Sequence, residues 1–585
     1  MADPIRIANC SGFFGDRLSA AREMVEGGPI DVLTGDWLAE LTMLILARTR
    51  MKHPNRGFAR TFVTQMEHVM GSCLDKGIKV VSNAGGLDPD GCADAVAEVA
   101  SQLGLHPKIA YVRGDDLLPR MNELIAADQL IHFETGEPIK DASAFLTANA
   151  YLGCWGIVEA LNEGADIVIT GRTTDAAIVC GPAAWHHGWN RTDWNALAGA
   201  VVAGHVIECG TQATGGNYSF FTEVPGMARV GFPWAEIAED GSTVIGKHGG
   251  SGGEVSIGTV TSQLLYEIGG PEYFGPDVTA RFDTIRLEAV GKDQVRMFGI
   301  QGEPPPTTLK VCINRHGGFR QDMNVCLTGL DIEAKAKLVE QAFWAACPYS
   351  PEDFATVETQ IVRTDKLDPR SNEEATAFFK ISLKDPDEKK VGRAVSNAMI
   401  ELALASIPGF TSVGGGPGGG RPFGVYEPAR VPAEIVPQQV VVLGSEPSEV
   451  SSIIPHPEVN VTPTPGPTAA APGGPTRRVP LGTIYGARSG DKGGNANLGV
   501  FARSDAAWAW LDQFLTTEKL KELLPEAAEL EVDRYALPAI RSLNFVLHGL
   551  LQEGVAAATR QDPQAKSLGE WLRARLTDLP EALLP

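Results

Sequence analysis

The residues that could do chemistry in this sequence stand in short glycine-rich loops, each of which follows an apolar run. Ser11 and Gly12 open the first of these loops, which continues to Asp16. Glycine lets the backbone approach a ligand closely, and the amino terminus of a following helix can bind an anion. Asp16 could serve there as a cap, a ligand or an acid–base group. A purely structural turn explains the same residues, because the spacing is not that of a dinucleotide-binding fingerprint.

Two further loops repeat this arrangement. Asn83 is followed by Gly85 and Gly86 at the end of one apolar run, and Arg172 and Asp175 follow another. The planar guanidinium group of Arg172 is suited to holding a carboxylate or a phosphate. The alternative is that Arg172 and Asp175 pair with each other and cap a helix.

The densest polar cluster lies farther along the chain. His205 and Glu208 are three residues apart, so in a helix they would share one face and could act as an acid–base pair. No third or fourth ligand stands nearby, so we expect no metal. A histidine in an apolar stretch is otherwise a core residue. Gly215, Gly216 and Asn217 follow and are predicted to bind a ligand.

Two more segments are candidate anion-binding sites. In the first, Gly252 and Gly253 precede a predicted helix and stand close to Lys247, an arrangement that favours a phosphate-binding loop. The spacing of an ATP-hydrolysing P-loop is absent. The second is a C-terminal loop at 488–497, which we expect to face the rest of the protein and to complete a ligand cleft. It could instead be a solvated turn. Its candidate ligand-binding residues are Arg488, Asp491, Lys492 and Asn495.

The elements that must position these residues follow from hydrophobic patterning. Up to about residue 171, short apolar runs alternate with amphipathic segments, which predicts an α/β fold with a mainly parallel, buried sheet. Strand ends in such sheets are where ligands bind. We predict an α/β domain at 1–225, an α+β domain at 226–454, a proline-rich linker at 455–480 and a small ferredoxin-like α+β domain at 481–585. A glycine run at 414–420 is interpreted as a hinge, although Arg421 directly after it could bind a ligand.

Composition excludes several classes of protein. The 585 residues are 43% hydrophobic and carry a formal net charge of -22, which argues against disorder and against binding to nucleic acid or to anionic membranes. The nine cysteines form no CxxC pair, so zinc-ribbon and thioredoxin-type sites are not expected. The N-terminal residues lack the pattern of a secretory signal, and no apolar run is long enough for a membrane span. We therefore expect a cytoplasmic protein.

Several long motifs, in order, resemble the acyclic terpene utilisation protein A (AtuA) family. They are NCSGFFGDR, IDVLTGDWLAELTMLILAR, VVSNAGGLDPDGCA, ITGRTTDAA, AGHVIECGTQATGGN and TVTSQLLYEIG, and the likeness covers about 5–445. The segment YGARSGDKGGNANLGV, with the rest of 480–585, resembles the small ferredoxin-fold domain that accompanies that family.

The resemblance implies a role in degrading citronellol- or geraniol-type compounds through CoA thioesters. We interpret the chain as an enzyme of acyclic terpenoid or branched-chain acyl-CoA catabolism, with a hydratase- or lyase-type step. The rival interpretation is a non-catalytic accessory protein of a biotin-dependent acyl-CoA carboxylase, with which it would associate. We expect a homo-oligomer that binds an acyl-CoA and needs no cofactor. The candidate acid–base groups are Asp16, Asp175, His205 and Glu208.

Overall fold

A computed structural model describes residues 3–413, 417–457 and 459–585. It divides into two compact units. The first comprises Met1–Asn314, Tyr426–Val555 and Asp562–Pro585, and the second comprises Arg315–Val425 and Ala556–Gln561. Part of the glycine run at 414–420, which we interpreted as a hinge, lies outside the described residues.

The α-helices and strands follow one another in three stretches of chain. The first contains β1 (Ile5–Asn9), α1 (Ala20–Gly27), β2 (Val32–Gly35), α2 (Glu40–Lys52), α3 (Arg60–Lys76), β3 (Lys79–Ser82), α4 (Pro89–Gln102), β4 (Ile109–Arg113), α5 (Met121–Ala126), β5 (Ile131–His132), β6 (Phe145–Ala150), α6 (Trp155–Asn162), β7 (Ile167–Thr170), α7 (Ala177–His187) and α8 (Trp194–Ile207).

The second stretch contains β8 (Pro233–Ile237), β9 (Thr243–Lys247), α9 (Ile257–Leu264), β10 (Glu272–Phe274), β11 (Thr279–Arg281), β12 (Arg286–Gly291), β13 (Gln294–Phe298), β14 (Gln301–Glu303), β15 (Thr308–Thr328), α10 (Ile332–Ala346), β16 (Thr356–Val362), β17 (Thr376–Asp385), α11 (Arg393–Ile400), β18 (Phe410–Ser412), β19 (Arg421–Pro432), β20 (Gln438–Val442) and β21 (Ser448–Val450). The third contains β22 (Thr476–Pro480), β23 (Tyr485–Lys492), β24 (Asn495–Ala502), α12 (Asp505–Phe514), α13 (Thr517–Leu523), β25 (Val532–Leu537), β26 (Ser542–Leu547), α14 (Leu568–Ala574) and β27 (Leu576–Pro580).

The main sheet of the first unit has a parallel centre and antiparallel flanks. Its strand order is β12-β13-β9-β8-β1-β2-β3-β7-β4-β20-β21, and only β1, β2, β3, β7 and β4 are parallel to one another. The prediction of a mainly parallel sheet therefore holds for the centre and is wrong for the sheet as a whole, which is mixed. The physical reason is connection length: β8 and β9, like β20 and β21, are joined by a few residues, and a short connection can only join antiparallel strands.

Helices cover both faces of the parallel centre. Leu33, Val80 and Ile169 pack with the cluster that includes buried residues of α1, α3 and α4. Val32 and Val168 belong to the other cluster, with buried residues of α6, α7 and α8. Because successive strand residues point to opposite faces, each central strand must be apolar on both sides. The chemistry of this sheet is therefore confined to the loops at its strand ends.

The second unit is built around an antiparallel sheet. Residues 319–328 of β15 pair with β17, which in turn pairs with β16. Buried apolar residues of α10 and α11 pack with this sheet in one cluster, which includes Val339 and Val395.

The C-terminal region is a four-stranded antiparallel sheet of order β23-β24-β26-β25, with α12, α13 and α14. Two local predictions were wrong. The segment 488–497 is not a loop but belongs to a hairpin of β23 and β24 that turns at Gly493 and Gly494. Thr476–Pro480, assigned to the linker, forms β22 and pairs with β27. Both segments read as irregular because they are rich in polar residues, glycine and proline, which are uncommon in strands.

Within the part of the chain that the structure describes, no helix is both long and apolar enough to cross a bilayer.

The residues between Pro465 and Pro475 contain no helix or strand. We expect a protease that cuts after small residues, such as elastase, to cleave first near Ala469–Ala471, because this stretch has few backbone hydrogen bonds to protect it. Two fragments, of about 470 and 115 residues, should appear on denaturing gels. They should still elute together on native gel filtration, because the C-terminal sheet packs on the rest of the first unit. First cleavage before residue 455 would contradict this.

Candidate functional site

The carboxyl ends of the central strands bring polar side chains together. Asp36 follows β2 and Asn83 follows β3, and the Asn83 side-chain amide donates to the Asp36 carboxylate at 2.5 Å. The backbone N–H of Trp37 donates to Asn83 Oδ1 at 2.8 Å. Asp115, which follows β4, accepts from the backbone N–H of Arg172 at 2.9 Å. Asn83 and Arg172 were predicted from sequence, whereas Asp36 and Asp115 were not.

Arg172 is the central cation of this cluster. It is only 2% exposed and forms a 2.6 Å ion pair with Asp175. Its guanidinium carbon lies 4.3 Å from the centre of the Tyr151 ring. Its Nε has no hydrogen-bond partner among the described residues. The Arg172–Asp175 pair that we considered as a simple helix cap does exist, and Asp175 precedes α7, but the pair also faces the other charged residues described next.

Glu40, Tyr151 and Lys310 extend the cluster and were missed by sequence analysis. The Tyr151 hydroxyl donates to Glu40 at 2.5 Å, and Lys310 Nζ lies 3.5 Å from the same carboxylate. Burial alone would raise the pKa of Glu40, but the charges of Lys310 and Arg172 outweigh it and lower this pKa to about 2. Glu40 and Lys310 still expose 32% and 35% of their side chains. Both charges are therefore partly accessible to solvent.

His205 and Glu208 lie beside this cluster. His205 Nδ1 is 3.3 Å from Glu208 Oε1, and both residues are buried. The His205 ring packs against Tyr273 and Phe282, with centroid distances of 5.1 and 5.4 Å. Neither ring nitrogen of His205 has a hydrogen-bond partner among the described residues, nor does Glu208 Oε2. His205 thus sits in apolar packing, while Glu208 carries an unsatisfied oxygen.

The carboxyl groups of the cluster have pKa values that are shifted in opposite directions. Burial, reinforced by the charge of Asp175, raises the pKa of both Asp36 and Glu208 well above the usual range. These two groups therefore favour the protonated form, whereas the pKa of the neighbouring carboxyl group of Glu40 is lowered to about 2. Neighbouring carboxyl groups whose pKa values differ widely are typical of acid–base sites.

The β23–β24 hairpin contacts the rest of the first unit. The guanidinium of Arg488 donates to the side-chain amide oxygen of Gln212, and Lys492 Nζ donates to the carbonyl of Glu267 at 3.2 Å. Asn495 Nδ2 lies 3.3 Å from a Glu134 oxygen. A Cβ at Gly490 would lie 2.5 Å from the Tyr266 ring, so only glycine permits this approach. The segment 488–497 thus contacts the body, as expected.

Asp491 and Lys492 are electrostatically part of the same cluster. Burial, together with the charges of Glu267 and Glu40, raises the pKa of Asp491 to about 8. Burial, together with repulsion from Lys310, lowers the pKa of Lys492 to about 8. The hairpin therefore supplies a carboxyl group and an amine with similar proton affinities near neutral pH.

The other predicted residues make their contacts elsewhere. Asp16 accepts from the backbone N–H of Gly12 at 2.9 Å, and a Cβ at Gly12 would lie 2.5 Å from the carbonyl carbon of Cys209. Ser11 donates to the carbonyl of Phe13. This loop therefore packs against the chain next to Glu208. Gly85 and Gly86 form the turn between β3 and α4.

One of the two remaining glycine-rich segments makes internal contacts, and the other ends at an exposed residue. Lys247 lies 3.4 Å from Asp293 and donates to the Ser251 carbonyl, next to Gly252 and Gly253. Gly215 and Gly216 lead into Asn217, which is exposed in a left-handed turn.

Burial of His205 has a consequence for stability. Burial lowers the pKa of His205 to about 4 from about 6.5 when unfolded. Between these two pH values only the unfolded chain binds the proton. The contribution of neutral His205 to the free energy of unfolding is therefore fully present above pH 6.5, and it falls by about 3 kcal/mol as the pH drops to 4. We expect His205→Gln to reduce the slope of melting temperature against pH between 6.5 and 4.5. An unchanged slope, equal to that of the surface control His53→Gln, would contradict this.

Comparison with known families matches two parts of the chain. Residues 5–442 match the acyclic terpene utilisation family protein AtuA, and residues 479–576 match the AtuA ferredoxin-like domain. Comparisons with curated proteins and with solved structures find no match. The first match contains Glu40, Arg172 and Lys310, and the second contains Asp491 and Lys492. The chain therefore belongs to the AtuA family, whose name ties it to acyclic terpene utilisation, and it carries the ferredoxin-like domain of that family.

Proposed function

We propose that this protein is a cytoplasmic enzyme of acyclic terpenoid or branched-chain acyl-CoA catabolism, and that it catalyses a hydratase- or lyase-type step on a CoA thioester. The observation that carries the proposal is the pairing of carboxyl groups that favour the protonated form, Asp36 and Glu208, with the ion-paired Asp175 beside Arg172. Family membership supports the metabolic context.

Such a step needs a group that gives a proton and a group that takes one. In a hydration, Asp175 would take a proton from water as the water oxygen bonds to the β-carbon. The protonated Glu208 would give its proton to the α-carbon. Negative charge that develops on the thioester oxygen would be stabilised by the cations Arg172 and Lys310, both of which lie over the Tyr151 ring.

The test is turnover of branched and acyclic terpenoid acyl-CoA thioesters by the purified chain, followed by mass spectrometry for gain of water or carbon–carbon cleavage. Glu208→Gln should lower kcat by about 100-fold or more, because an amide cannot give the proton. Its melting temperature should hardly change, because glutamine resembles the protonated carboxyl group. The control is Glu123→Gln at an exposed surface pair.

Loss of melting temperature in Glu208→Gln with unchanged turnover would contradict the proposed role of Glu208. Absence of turnover for every thioester, with stable binding to a biotin-dependent acyl-CoA carboxylase, would favour the accessory-protein alternative instead.

A further inference from the structure

A second cleft of the first unit is lined by residues of α3, of α4 and of the loop that precedes α3. Its volume is about 750 Å³, which is within the range of small-molecule binding sites. Phe58, Val63 and Val99 give it an apolar lining, and Asn55 and Gln102 add side-chain amides. A cleft of this size and composition can hold a ligand as large as a nucleotide.

The charges that line this cleft are separated along the two helices. Arg60 is the first residue of α3, and Arg56 stands in the loop just before it. Glu67, the acidic residue that α3 contributes, lies two turns later, about 10 Å along the helix axis. Glu98 belongs to the second half of α4. One end of the cleft is therefore positively charged and the other is negatively charged.

The two arginines of the positive end have no counter-charges. Both are exposed, and within the described ranges neither Arg56 nor Arg60 forms an ion pair. In a chain of net charge -22, such a pair of arginines is a local exception that favours an anionic ligand. The planar guanidinium group matches the geometry of phosphate oxygens in particular. The carboxylates at the other end would keep the phosphate groups at the arginines.

The positive end of the cleft adjoins the cluster at the strand ends. The backbone N–H of Ala59 donates to the carbonyl of Ala84 at 2.8 Å, and Ala84 directly follows Asn83 of that cluster. Consecutive Cα atoms are 3.8 Å apart, and a backbone hydrogen bond joins Cα atoms about 5 Å apart. Phe58, which lines the cleft, thus has its Cα within about 13 Å of that of Asn83. A ligand that is held by its phosphates can extend a flexible arm to the cluster.

We propose that this cleft binds the nucleotide end of coenzyme A, with its phosphate groups on Arg56 and Arg60 and its pantetheine arm directed towards Asn83. The choice of coenzyme A rests on the proposed function, whereas a site for a phosphorylated ligand does not. Because the cleft lies outside the acid–base cluster, it would set the affinity for the thioester and leave the chemical step to the cluster.

Isothermal titration calorimetry of the full chain with coenzyme A and with ADP tests the proposal. Coenzyme A should bind at least about tenfold more tightly than ADP, because it adds a phosphate group and the pantetheine arm. Arg56→Met and Arg60→Met should each weaken coenzyme A by about tenfold or more, since each removes charge-assisted hydrogen bonds. Arg60→Lys should retain part of the affinity.

The matched control is Arg22→Met, at an exposed pair with Glu26, which should bind coenzyme A as the unaltered chain does. The melting temperatures of the Arg56 and Arg60 variants should stay close to that of the unaltered chain, because both side chains are exposed. A weakened affinity in these variants therefore reports on the site rather than on folding.

Unchanged affinity for coenzyme A in both methionine variants, or no binding of coenzyme A by the unaltered chain, would overturn the proposed site. ADP binding as tight as that of coenzyme A would overturn coenzyme A as its ligand. Two outcomes separate this proposal from the proposed function. Arginine-dependent binding of coenzyme A without turnover of any thioester would support the site and contradict the enzyme. Turnover with an unaltered KM in Arg56→Met and Arg60→Met would support the enzyme and overturn the site.

Discussion

Replacing Arg172 with methionine should lower the free energy of unfolding of this protein by about 3–5 kcal/mol, because it removes one partner of a buried ion pair. The Arg172 side chain is almost wholly buried and holds Asp175 at 2.6 Å. Without the guanidinium group, Asp175 would lose its counter-charge, and the Tyr151 ring would lose one of its two cations. Arg172→Lys should recover little of the loss, because an ammonium cannot reproduce the planar fork.

The matched control for this prediction is Arg503→Met. Arg503 forms a 2.8 Å ion pair with Glu223, and about half of each side chain is exposed. Exposed pairs contribute about 0–1 kcal/mol, so this variant should unfold almost as the unaltered chain does. Urea denaturation followed by tryptophan fluorescence measures both variants. Equal shifts for Arg172→Met and Arg503→Met would mean that the Arg172 pair is no more important than a surface pair.

Replacing Lys310 with methionine should lower kcat/KM for the thioester substrate by about 10³-fold, the size of effect seen when a stabiliser of developing negative charge is removed. Lys310 lies 3.5 Å from Glu40 and 4.9 Å from the centre of the Tyr151 ring. It is also the strongest of the nearby charges that lower the pKa of Glu40. Its removal should therefore raise that pKa and shift the acid limb of the pH–rate profile upward.

Lys140→Met, at an exposed pair with Asp128, is the control and should retain the activity of the unaltered chain. A kcat/KM for Lys310→Met within a few-fold of the unaltered value, with the same pH profile, would remove Lys310 from the site. A loss of melting temperature equal to that of Arg172→Met would show instead that Lys310 mainly supports the fold.

The local sequence was sufficient to predict the buried strands, because their pattern of apolar residues depends only on residues close together in the chain. The apolar run before Asn83 is β3 (Lys79–Ser82). The apolar run before Arg172 is β7 (Ile167–Thr170). Continuous apolar runs bounded by glycine, aspartate or arginine are recognisable because burial on both faces of a sheet requires them. The motifs of these strand ends also carried the family resemblance, which the comparison confirms.

Other features depended on contacts between residues far apart in the chain. Glu40 opens an ordinary helix, and Lys310 stands in a strand where an exposed lysine would look the same. Only folding places their side chains 3.5 Å apart. The segment 488–497 reads as a loop because it is rich in polar residues and glycine, which are uncommon in strands. By itself the sequence determined the strand ends and the family. The tertiary structure alone decided which charges meet, because the pKa of a buried group depends on neighbours that chain order does not reveal.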